Sequence, residues 1–456
     1  MQRRAKFWCG VAGLWLIVGT TAGALLFWRF HFLVYFLAPF TLVLLVGAIL
    51  TCLVLGFSRT LSGRRRLFAF AACAALILGV VFTGPVYRAR YEEPSLQGPY
   101  LTWSDDPAST MTVSWTTPVA EPSSVKFRPG NDGQFQLIEE TAPTQYHSVT
   151  IRRLTPDTRY QYQVHDLGDR LFSFQTGPSD MPEFSFVVYG DTRPLSGLSY
   201  HAQVVRAILK ADEQTPFSFG INTGDIVENP HSGYKWQWQV FLDNIVPFAR
   251  SRPYLLCPGN HEMRGGSTLY KHYLNNGMAE PWYDLDYAGV HLIFLSTQDE
   301  LAPDSPQYQW LKGVLEESGT PRATIVFSHQ PMLTYGSPKR HYADVKLRKH
   351  VLPLLKQHGV QIMFCGHVHS YEHLLVDGVH QVITGGGGVL LWDKPGVGPE
   401  TVCTETTFHF CTVNVGKDAM CVTAHRIDGS IIDRFDVVVR QQNDKQVQEP
   451  SAGEQK

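Results

Sequence analysis

The sequence predicts three structural parts: membrane-spanning helices over residues 1–90, an all-β domain over 91–180 and a layered α/β domain over 181–440. Three observations give this prediction. Long apolar stretches without charged side chains lie near the N-terminus, apolar and polar residues alternate in the middle, and short apolar runs alternate with amphipathic stretches in the second half. Residues 441–456 are polar and are predicted to be a disordered tail.

The membrane prediction comes from residues 7–28, 32–57 and 67–87, which contain no Asp, Glu, Lys or Arg. Each stretch is long enough to cross a hydrocarbon core of about 30 Å. Basic residues precede the first stretch and Arg64–Arg66 lie between the second and third, which predicts a cytoplasmic N-terminus. The predicted localisation is therefore multi-pass in the cytoplasmic (inner) membrane, with the lipid bilayer as a partner and the later domains outside. The alternative is a signal peptide followed by a helical hairpin.

The overall charge favours no polyanionic partner. Net charge is −2 with a pI of about 6.8, so nucleic acid binding is not expected. Three of the eight cysteines, Cys403, Cys411 and Cys421, lie close together in sequence and allow one disulfide. Their spacing does not select a pair.

Strand patterns define the all-β domain. Residues 111–115 and 160–164 alternate apolar and polar side chains, and the turn-prone residues 129–133 lie between them. The segment Leu154–Tyr160 resembles the turn and tyrosine that enter a late strand of fibronectin type III sandwiches. This domain is predicted to have a packing and positioning role and to contribute no catalytic residues.

At Phe184 the sequence pattern changes to short apolar runs that alternate with amphipathic stretches, which marks the start of the α/β domain. Helices are predicted near residues 199–213, 236–249, 306–318 and 343–358, each between two short apolar runs. This alternation is typical of layered α/β domains. After His369 the chain is predicted to be rich in strands again.

Five apolar runs of the α/β domain each end in residues that bind metal ions, namely Asp191, Asp225, Asn260, His329, and the pair His367 and His369. The carboxyl ends of strands in an open α/β sheet meet at one edge, where sites form. Carboxylate and amide oxygens suit hard ions, and imidazoles favour zinc, iron or manganese. Six ligands are more than one ion needs, so the pattern predicts two ions that share Asp225 and hold a phosphoryl group between them.

The order of these motifs resembles the calcineurin-like metallophosphoesterase superfamily. The preceding β domain, with Gly98-Pro99-Tyr100-Leu101, resembles the N-terminal domain of purple acid phosphatases. This resemblance implies a four-layer αββα metallophosphoesterase sandwich. It also implies that Asp191 and His369 hold one ion, that Asp225 bridges, and that Asn260, His329 and His367 hold the second. The identity of the ions (Fe, Zn or Mn, divalent or trivalent) stays open.

Two positions depart from the family pattern. Glu228 replaces the tyrosine that ligates iron and colours purple acid phosphatases, so the enzyme is expected to be colourless. Glu228 is either a substitute ligand or a solvent-exposed acid. Arg193 stands where related diesterases have a histidine, and its guanidinium could bind a phosphate oxygen or form a surface salt bridge.

The resemblance implies that His261 lies beside the leaving-group oxygen and donates a hydrogen bond or proton. Weaker candidates for substrate contacts are His201, Arg264, Tyr371 and His373, for which an ordinary helix or strand position is the alternative.

The sequence thus predicts a membrane-anchored phosphoesterase that hydrolyses phosphate monoesters outside the membrane by attack of a metal-bound hydroxide. One alternative is a phosphodiesterase acting on nucleotides or envelope phospholipids. The other is a membrane-tethered metal-binding sensor without turnover.

Overall fold

The structure is a computed structural model, and it describes residues 95–194, 199–231, 234–265, 269–273, 280–319, 321–336, 342–391 and 394–439. The three predicted membrane spans and the predicted C-terminal tail lie outside these residues.

The N-terminal β domain contains five antiparallel strands: β1 (Gln97–Thr102), β2 (Met111–Pro129), β3 (Gln136–Ile151), β4 (Arg159–Val164) and β5 (Phe172–Gln175). Strand β2 is 19 residues long and pairs with β1 through its first part and with β4 through its last part. The five strands are therefore hydrogen-bonded into one continuous sheet. At the predicted turn, the hydroxyl of Tyr160 accepts the Thr155 N–H at 2.9 Å.

Two further sheets form the second domain. The six-stranded sheet has the order β18-β17-β16-β6-β7-β8. Its strands are β6 (Phe184–Tyr189), β7 (Phe219–Asn222), β8 (Tyr254–Leu256), β16 (His409–Val415), β17 (Ala419–Arg426) and β18 (Ile431–Val438). Strands β6, β7 and β8 are parallel, and β16 to β18 extend them in antiparallel fashion.

The seven-stranded sheet has the order β15-β13-β14-β12-β11-β10-β9. Its strands are β9 (Tyr283–Tyr287), β10 (Val290–Phe294), β11 (Ala323–Phe327), β12 (Ile362–Cys365), β13 (Tyr371–Val376), β14 (Val379–Thr384) and β15 (Thr401–Glu405). Strands β10, β11, β12 and β14 are parallel, so the carboxyl ends of β11 and β12 lie at one edge.

Helices cover the outer faces of both sheets. They are α1 (His201–Gln214), α2 (Lys235–Ala249), α3 (Leu269–Tyr273), α4 (Pro306–Glu317) and α5 (Leu352–Gln357), with a π-helical turn at Leu347–Val351. A short 3₁₀ turn at His165–Leu167 lies in the β domain, between β4 and β5. Four of the predicted helices are confirmed, the last as the π turn together with α5. Their apolar faces pack in two separate outer cores, one with Trp238 and Phe241 of α2 and one with Leu311 of α4.

The inner core lies between the two sheets. Phe186 stacks on Phe219 with ring centroids 4.9 Å apart, and Phe294 stacks on Phe327 at 4.9 Å. Phe186 and Phe327 are 6.5 Å apart, which joins the two sheets face to face. Helix, sheet, sheet and helix thus form an αββα arrangement, and Trp103 of the β domain packs on Phe219 at 5.6 Å.

The predicted fold class needs correction in its membrane part. The longest described helix has 15 residues, about 22 Å at 1.5 Å per residue, and it packs an apolar face on a sheet. Across the described ranges, no helix combines the length and the apolarity that crossing a membrane requires. The fold that the structure supports is an α/β metallophosphoesterase domain preceded by a β domain. The predicted three transmembrane helices, bilayer partner and multi-pass inner-membrane localisation receive no support and are not carried further.

Candidate metal centre

The first three predicted ligands lie at the carboxyl edge of the six-stranded sheet. Asp191 follows β6 by two residues, Asp225 follows β7 by three and Asn260 follows β8 by four. Because β6, β7 and β8 are adjacent and parallel, their ends lie side by side. All three side chains are therefore delivered to one edge by strand order alone.

The remaining three ligands come from the seven-stranded sheet. His329 follows β11, and His367 and His369 follow β12. The two sheets bring the two groups of ligands face to face, since the main-chain N–H of His367 donates to Asp191 Oδ2 at 2.8 Å. The rim formed by these strand ends is thus shared between the two sheets, whereas the strand-end motifs predicted the edge of one sheet.

The candidate ligand atoms converge. His329 Nε2 lies 3.3 Å from Asp225 Oδ1, 3.1 Å from Asn260 Oδ1 and 3.2 Å from His367 Nδ1. His369 Nε2 lies 3.7 Å from Asp191 Oδ1. Asp191, His329 and His369 are fully buried. Nitrogen and oxygen ligand atoms that lie this close together inside the protein are typical of a metal site and not of an apolar core.

Outer hydrogen bonds fix the orientation of two ligand rings. Nδ1 of His329 donates to the Thr223 carbonyl at 2.8 Å, and Nδ1 of His369 donates to the Leu390 carbonyl at 3.2 Å. Each bond sets the tautomer that leaves Nε2 as the inward-facing nitrogen. Asp191 Oδ1 is buried and has no hydrogen-bond partner among the described residues.

The backbone at three ligands adopts the left-handed region. Asp191 has φ 59°, Asp225 φ 57° and His367 φ 71°. Non-glycine residues rarely adopt such angles, each of which costs on the order of 1 kcal/mol, and they concentrate at functional sites. The strain turns each side chain sharply inward at the end of its strand.

Glu262 supports the centre from behind. Its carboxylate accepts the main-chain N–H groups of Asp225, Ile226, Val227 and Gly259 at 2.8–3.1 Å. Burial, together with the charge of Asp225, raises the pKa of Glu262 to about 7, and the N–H groups oppose that rise. Glu262 therefore orders the loop that carries Asp225.

The charges of the buried carboxylates favour the binding of cations. Burial, then the charge of Asp225, raises the pKa of Asp191 well above its ordinary value. Burial also tends to raise the pKa of Asp225, but His329, His261 and Arg193 lower it below its ordinary value. Two buried carboxylates thus lie close to each other, and positive charge between them would relieve their repulsion. Donor chemistry, convergence and charge all fit two bound metal ions.

The residues predicted for substrate also surround Asp225. Arg193 is buried, with its Nε 3.2 Å from Asp225 Oδ2 and its Nη1 in an ion pair with Glu228. His261 donates from Nδ1 to the Glu228 carbonyl at 2.7 Å, and its Nε2 lies 3.7 Å from Asp225 Oδ2. Burial lowers the pKa of His261 to about 3. Glu228 thus lies at the site, where its carboxylate forms an ion pair with Arg193.

His201 and Arg264 have different environments. His201 is buried on α1, where its ring stacks on Phe241 and its Nε2 lies 3.2 Å from the Tyr189 hydroxyl. This position is in the outer core, so the structure does not place His201 against substrate. Arg264 is exposed, and its charge contributes to the lowered pKa of His261.

Two features of the site were not singled out in the sequence. The ring of Tyr342 lies 6.0 Å from that of His367, edge to face, and Tyr342 is 62% exposed. The run Gly385–Gly388 packs against Gly190 and Val368 so closely that a Cβ on Gly385 or Gly387 would overlap main-chain oxygens. Four consecutive glycines beside a metal motif were the available signal for close backbone approach.

Fold and site together are similar to those of metallophosphoesterases, and comparisons with known proteins give the same class. The calcineurin-like phosphoesterase family model matches residues 184–371, and the model of the purple acid phosphatase N-terminal domain matches residues 96–185. These are the two resemblances inferred from the motifs. Metallophosphoesterase domains of this kind use dinuclear metal centres, which confirms the predicted cofactor of two metal ions.

The individual relatives that the chain resembles are named as phosphatases. The chain is 30% identical to "Purple acid phosphatase 21" of Arabidopsis thaliana over 50% of its own length and 52% of that protein. It is 27% identical to human "Acid phosphatase type 7" over 63% of its length and 72% of that protein. A purple acid phosphatase from yellow lupin seeds shares the fold, with a TM-score of 0.65 and 18% identity over 77% of this chain and 75% of that one.

These findings describe a purple acid phosphatase-like metallophosphoesterase. The matched family models and the named relatives are phosphoesterases and acid phosphatases, in agreement with the predicted enzyme class. The chain spans about half the length of the Arabidopsis relative, and its own activity and substrate are therefore the subject of a proposal.

Proposed function

We propose that the protein hydrolyses phosphate monoesters at a dinuclear centre on this rim. The observation that carries the proposal is the convergence of six ligand side chains from two sheets, with His329 Nε2 and His369 Nε2 directed inward by their outer hydrogen bonds. A sensor without turnover would have no need of Arg193 and His261 around the shared carboxylate, and both are present. The names of the relatives, which are acid phosphatases, support the monoester.

The ligand assignment follows the contacts. Asp191 and His369, whose Oδ1 and Nε2 atoms are 3.7 Å apart, would hold the first ion, and Asp225 would be shared. The second ion would be held by the ligands grouped around His329, namely Asp225, Asn260, His329 and His367. Two bound cations acidify a water molecule and neutralise charge that develops on the phosphoryl group.

His261 is the group proposed to face the leaving oxygen. Its Nδ1 is engaged by the Glu228 carbonyl at 2.7 Å, so Nε2 is the nitrogen that remains for substrate. Nε2 lies on the side of Asp225, 3.7 Å from Oδ2. Because Nδ1 carries the proton given to the Glu228 carbonyl, Nε2 would donate a hydrogen bond to the departing oxygen only in the doubly protonated ring, whose charge Asp225 would stabilise.

Arg193 is proposed to contact the phosphoryl group. Its guanidinium lies beside Asp225 and is held in place by two carboxylates. A planar guanidinium forms paired hydrogen bonds with phosphate oxygens, and here it is pre-ordered, so little side-chain entropy is lost on binding. A doubly charged monoester gains more from this cation than a singly charged diester does.

The test compares an aryl phosphate monoester with the matching diester, using the full chain loaded in turn with iron, zinc and manganese. Preferential, chelator-sensitive turnover of the monoester supports the proposal, with Asp225→Asn as the inactive control. Preferential turnover of the diester would overturn the choice of substrate. Two ions bound per chain without turnover of either ester would overturn the enzymatic proposal and favour a binding role.

A further inference from the structure

The two proposed metal positions differ in how completely the chain assembles them. Among all His, Cys, Asp and Glu side chains in the described part of the chain, one group of three has its ligand atoms within 4.8 Å of one another: Asp225, His329 and His367. These residues belong to the second position, which Asn260 also joins at 3.1 Å from His329 Nε2. The second position is thus pre-assembled from four side chains.

The first position has fewer ligands. Asp191 and His369 lie 3.7 Å apart, and the third ligand is the shared Asp225. The two places where related proteins supply a further ligand hold Arg193 and Glu228. In this structure those two side chains are ion-paired with each other.

The two oxygens of Asp225 have different partners. Oδ1 lies 3.3 Å from His329 Nε2 and accepts the main-chain N–H of His261 at 3.1 Å. Oδ2 lies 3.2 Å from Arg193 Nε. A carboxylate that bridges two ions usually offers one oxygen to each, so the guanidinium already occupies the side of Asp225 that would face the first ion.

Glu228 keeps the guanidinium there. The Arg193 side chain is 5% exposed, and its Nη1 is paired with Glu228 Oε2. Glu228 is itself fixed, because its main-chain N–H donates to Gln237 Oε1 at 2.7 Å and its carbonyl accepts from His261 Nδ1 at 2.7 Å. Gln237 is buried on α2, so the pair is anchored to the helix layer.

We propose that the Arg193–Glu228 pair makes the two metal positions unequal, with the first position binding its ion more weakly and exchanging it more readily than the second. Glu228 acts as a positioning residue that holds the Arg193 cation against Asp225 Oδ2. The inference rests on the proposed dinuclear function and extends it to the order in which the ions bind.

The physical reason is repulsion at short range. A guanidinium within about 4–6 Å of a divalent ion opposes its binding, and the effect is large because the site is buried and poorly screened. The negative charge of Glu228 offsets part of this repulsion. Removing Arg193 and removing the charge of Glu228 should therefore change the affinity of the first position in opposite directions.

The experiment titrates Zn²⁺ into the chelator-stripped full chain, by calorimetry and by competition with a chromophoric chelator. The wild type is expected to bind two ions with dissociation constants that differ by more than about tenfold, a gap of roughly 1.4 kcal/mol. Arg193→Met should lower the dissociation constant of the weaker position and so reduce the difference between the two constants. Glu228→Gln keeps an acceptor oxygen for Arg193 Nη1 but removes the negative charge that offsets the repulsion, so it should weaken the first position and enlarge the difference between the two dissociation constants.

Two variants separate charge from structure. Arg193→Lys retains the positive charge, so the two dissociation constants should stay as far apart as in the wild type, even if the melting temperature falls. Arg252→Met removes a comparable arginine, paired with Asp212 at 2.9 Å away from the rim, and should leave both affinities unchanged.

Equal affinities in the wild type, or an unchanged gap in Arg193→Met, would overturn the inference while leaving the proposed hydrolysis intact. Two unequal positions without turnover of any ester would instead support the inference and overturn the hydrolysis. A wild type that binds no Zn²⁺ would overturn both.

Discussion

Two histidine-rich clusters lie close together in this domain, and their difference shows what makes a metal site. The metal rim consists of the six predicted ligands. The Asp433 cluster consists of Tyr371, His373, His380 and Asp433, and it begins two residues after the last rim ligand, His369. Both clusters combine imidazoles with a carboxylate, and both lie largely inside the protein.

The atoms of the Asp433 cluster are hydrogen-bonded in series. His373 Nδ1 donates to Asp433 Oδ2 at 2.8 Å, and its Nε2 lies 2.9 Å from His380 Nδ1. The Tyr371 hydroxyl donates to the same Asp433 oxygen at 2.9 Å. Both nitrogens of His373 are thereby occupied within the chain of bonds, whereas the rim uses Nδ1 of His329 and His369 outward and keeps Nε2 inward. Both clusters contain histidine and aspartate, so the rim differs from the Asp433 cluster in that its ligand atoms converge on one another.

The largest effect is expected from a matched pair of histidine substitutions. His367→Ala removes a rim ligand and should lower turnover by roughly a hundredfold or more, since even partners behind the ligands are worth about 10–100-fold. His373→Ala should leave turnover nearly unchanged and instead lower the melting temperature. The measurement is kcat together with metal content for both variants. Equal losses of metal in the two would contradict the distinction between the clusters.

A smaller effect is expected when the support behind the rim is changed. Glu262→Gln replaces a carboxylate that accepts four N–H groups with an amide that must turn one NH₂ toward them. Metal affinity or turnover should fall by about 10–100-fold with the ligands intact. Glu300→Gln, at an exposed acid paired with Lys346, is the control. Wild-type metal affinity in Glu262→Gln would show that the loop carrying Asp225 keeps its conformation without the Glu262 carboxylate.

The Asp433 cluster should contribute to stability alone. Asp433→Asn weakens the acceptor for His373 and Tyr371 and should lower the free energy of unfolding by about 1–3 kcal/mol. Denaturant titration of the metal-free protein measures this change. Turnover of the metal-loaded variant below the melting transition should match the wild type, and a marked loss of turnover there would mean that the cluster communicates with the rim.

A third kind of buried histidine tests the same contrast through pH. Burial lowers the pKa of His201 to about 3 in the folded protein, against about 6.5 when unfolded. Below pH 6.5 the unfolded chain binds a proton that the folded chain does not, so stability present above pH 6.5 is lost as pH falls toward 3. His201 should contribute about 1.4 kcal/mol per pH unit to that loss.

The measurement is the free energy of unfolding of the metal-free protein from pH 7 to pH 4.5. His201→Gln cannot take up a proton, so its stability should fall less steeply than that of the wild type, whatever its absolute stability. Parallel slopes in the two proteins would rule out His201 as a source of acid sensitivity.

The smallest effect is expected at the mouth of the rim. Tyr342, 62% exposed and edge-on to His367, offers a ring to an aromatic leaving group. Tyr342→Ala should raise KM for an aryl phosphate by a few-fold, in line with about 0.5–1.5 kcal/mol for an aromatic pair, and leave KM for an alkyl phosphate unchanged. Tyr342→Phe should behave as the wild type. An equal rise for both esters would contradict a stacking role.

Much of the site could be predicted because its residues are local to strand ends. Gly190-Asp191, Gly224-Asp225 and Gly366-His367 each follow an apolar run, and a parallel strand delivers whatever follows it to the same edge. The sequence order of these motifs therefore predicted the rim, and from the rim the two metal ions and the phosphoesterase class. The membrane helices were predicted by the same kind of local pattern, but the supported fold contains no counterpart among the described helices.

Tertiary structure decided which of several similar residues reach the rim. His201 and His373 share a residue type with the ligands, yet one packs on Phe241 and the other pairs with Asp433. Glu228 contacts Arg193, 35 residues away in sequence, and Gly385 approaches Val368 across the sheet edge. Such contacts depend on how strands from distant parts of the chain lie side by side, and a local pattern carries no record of that arrangement.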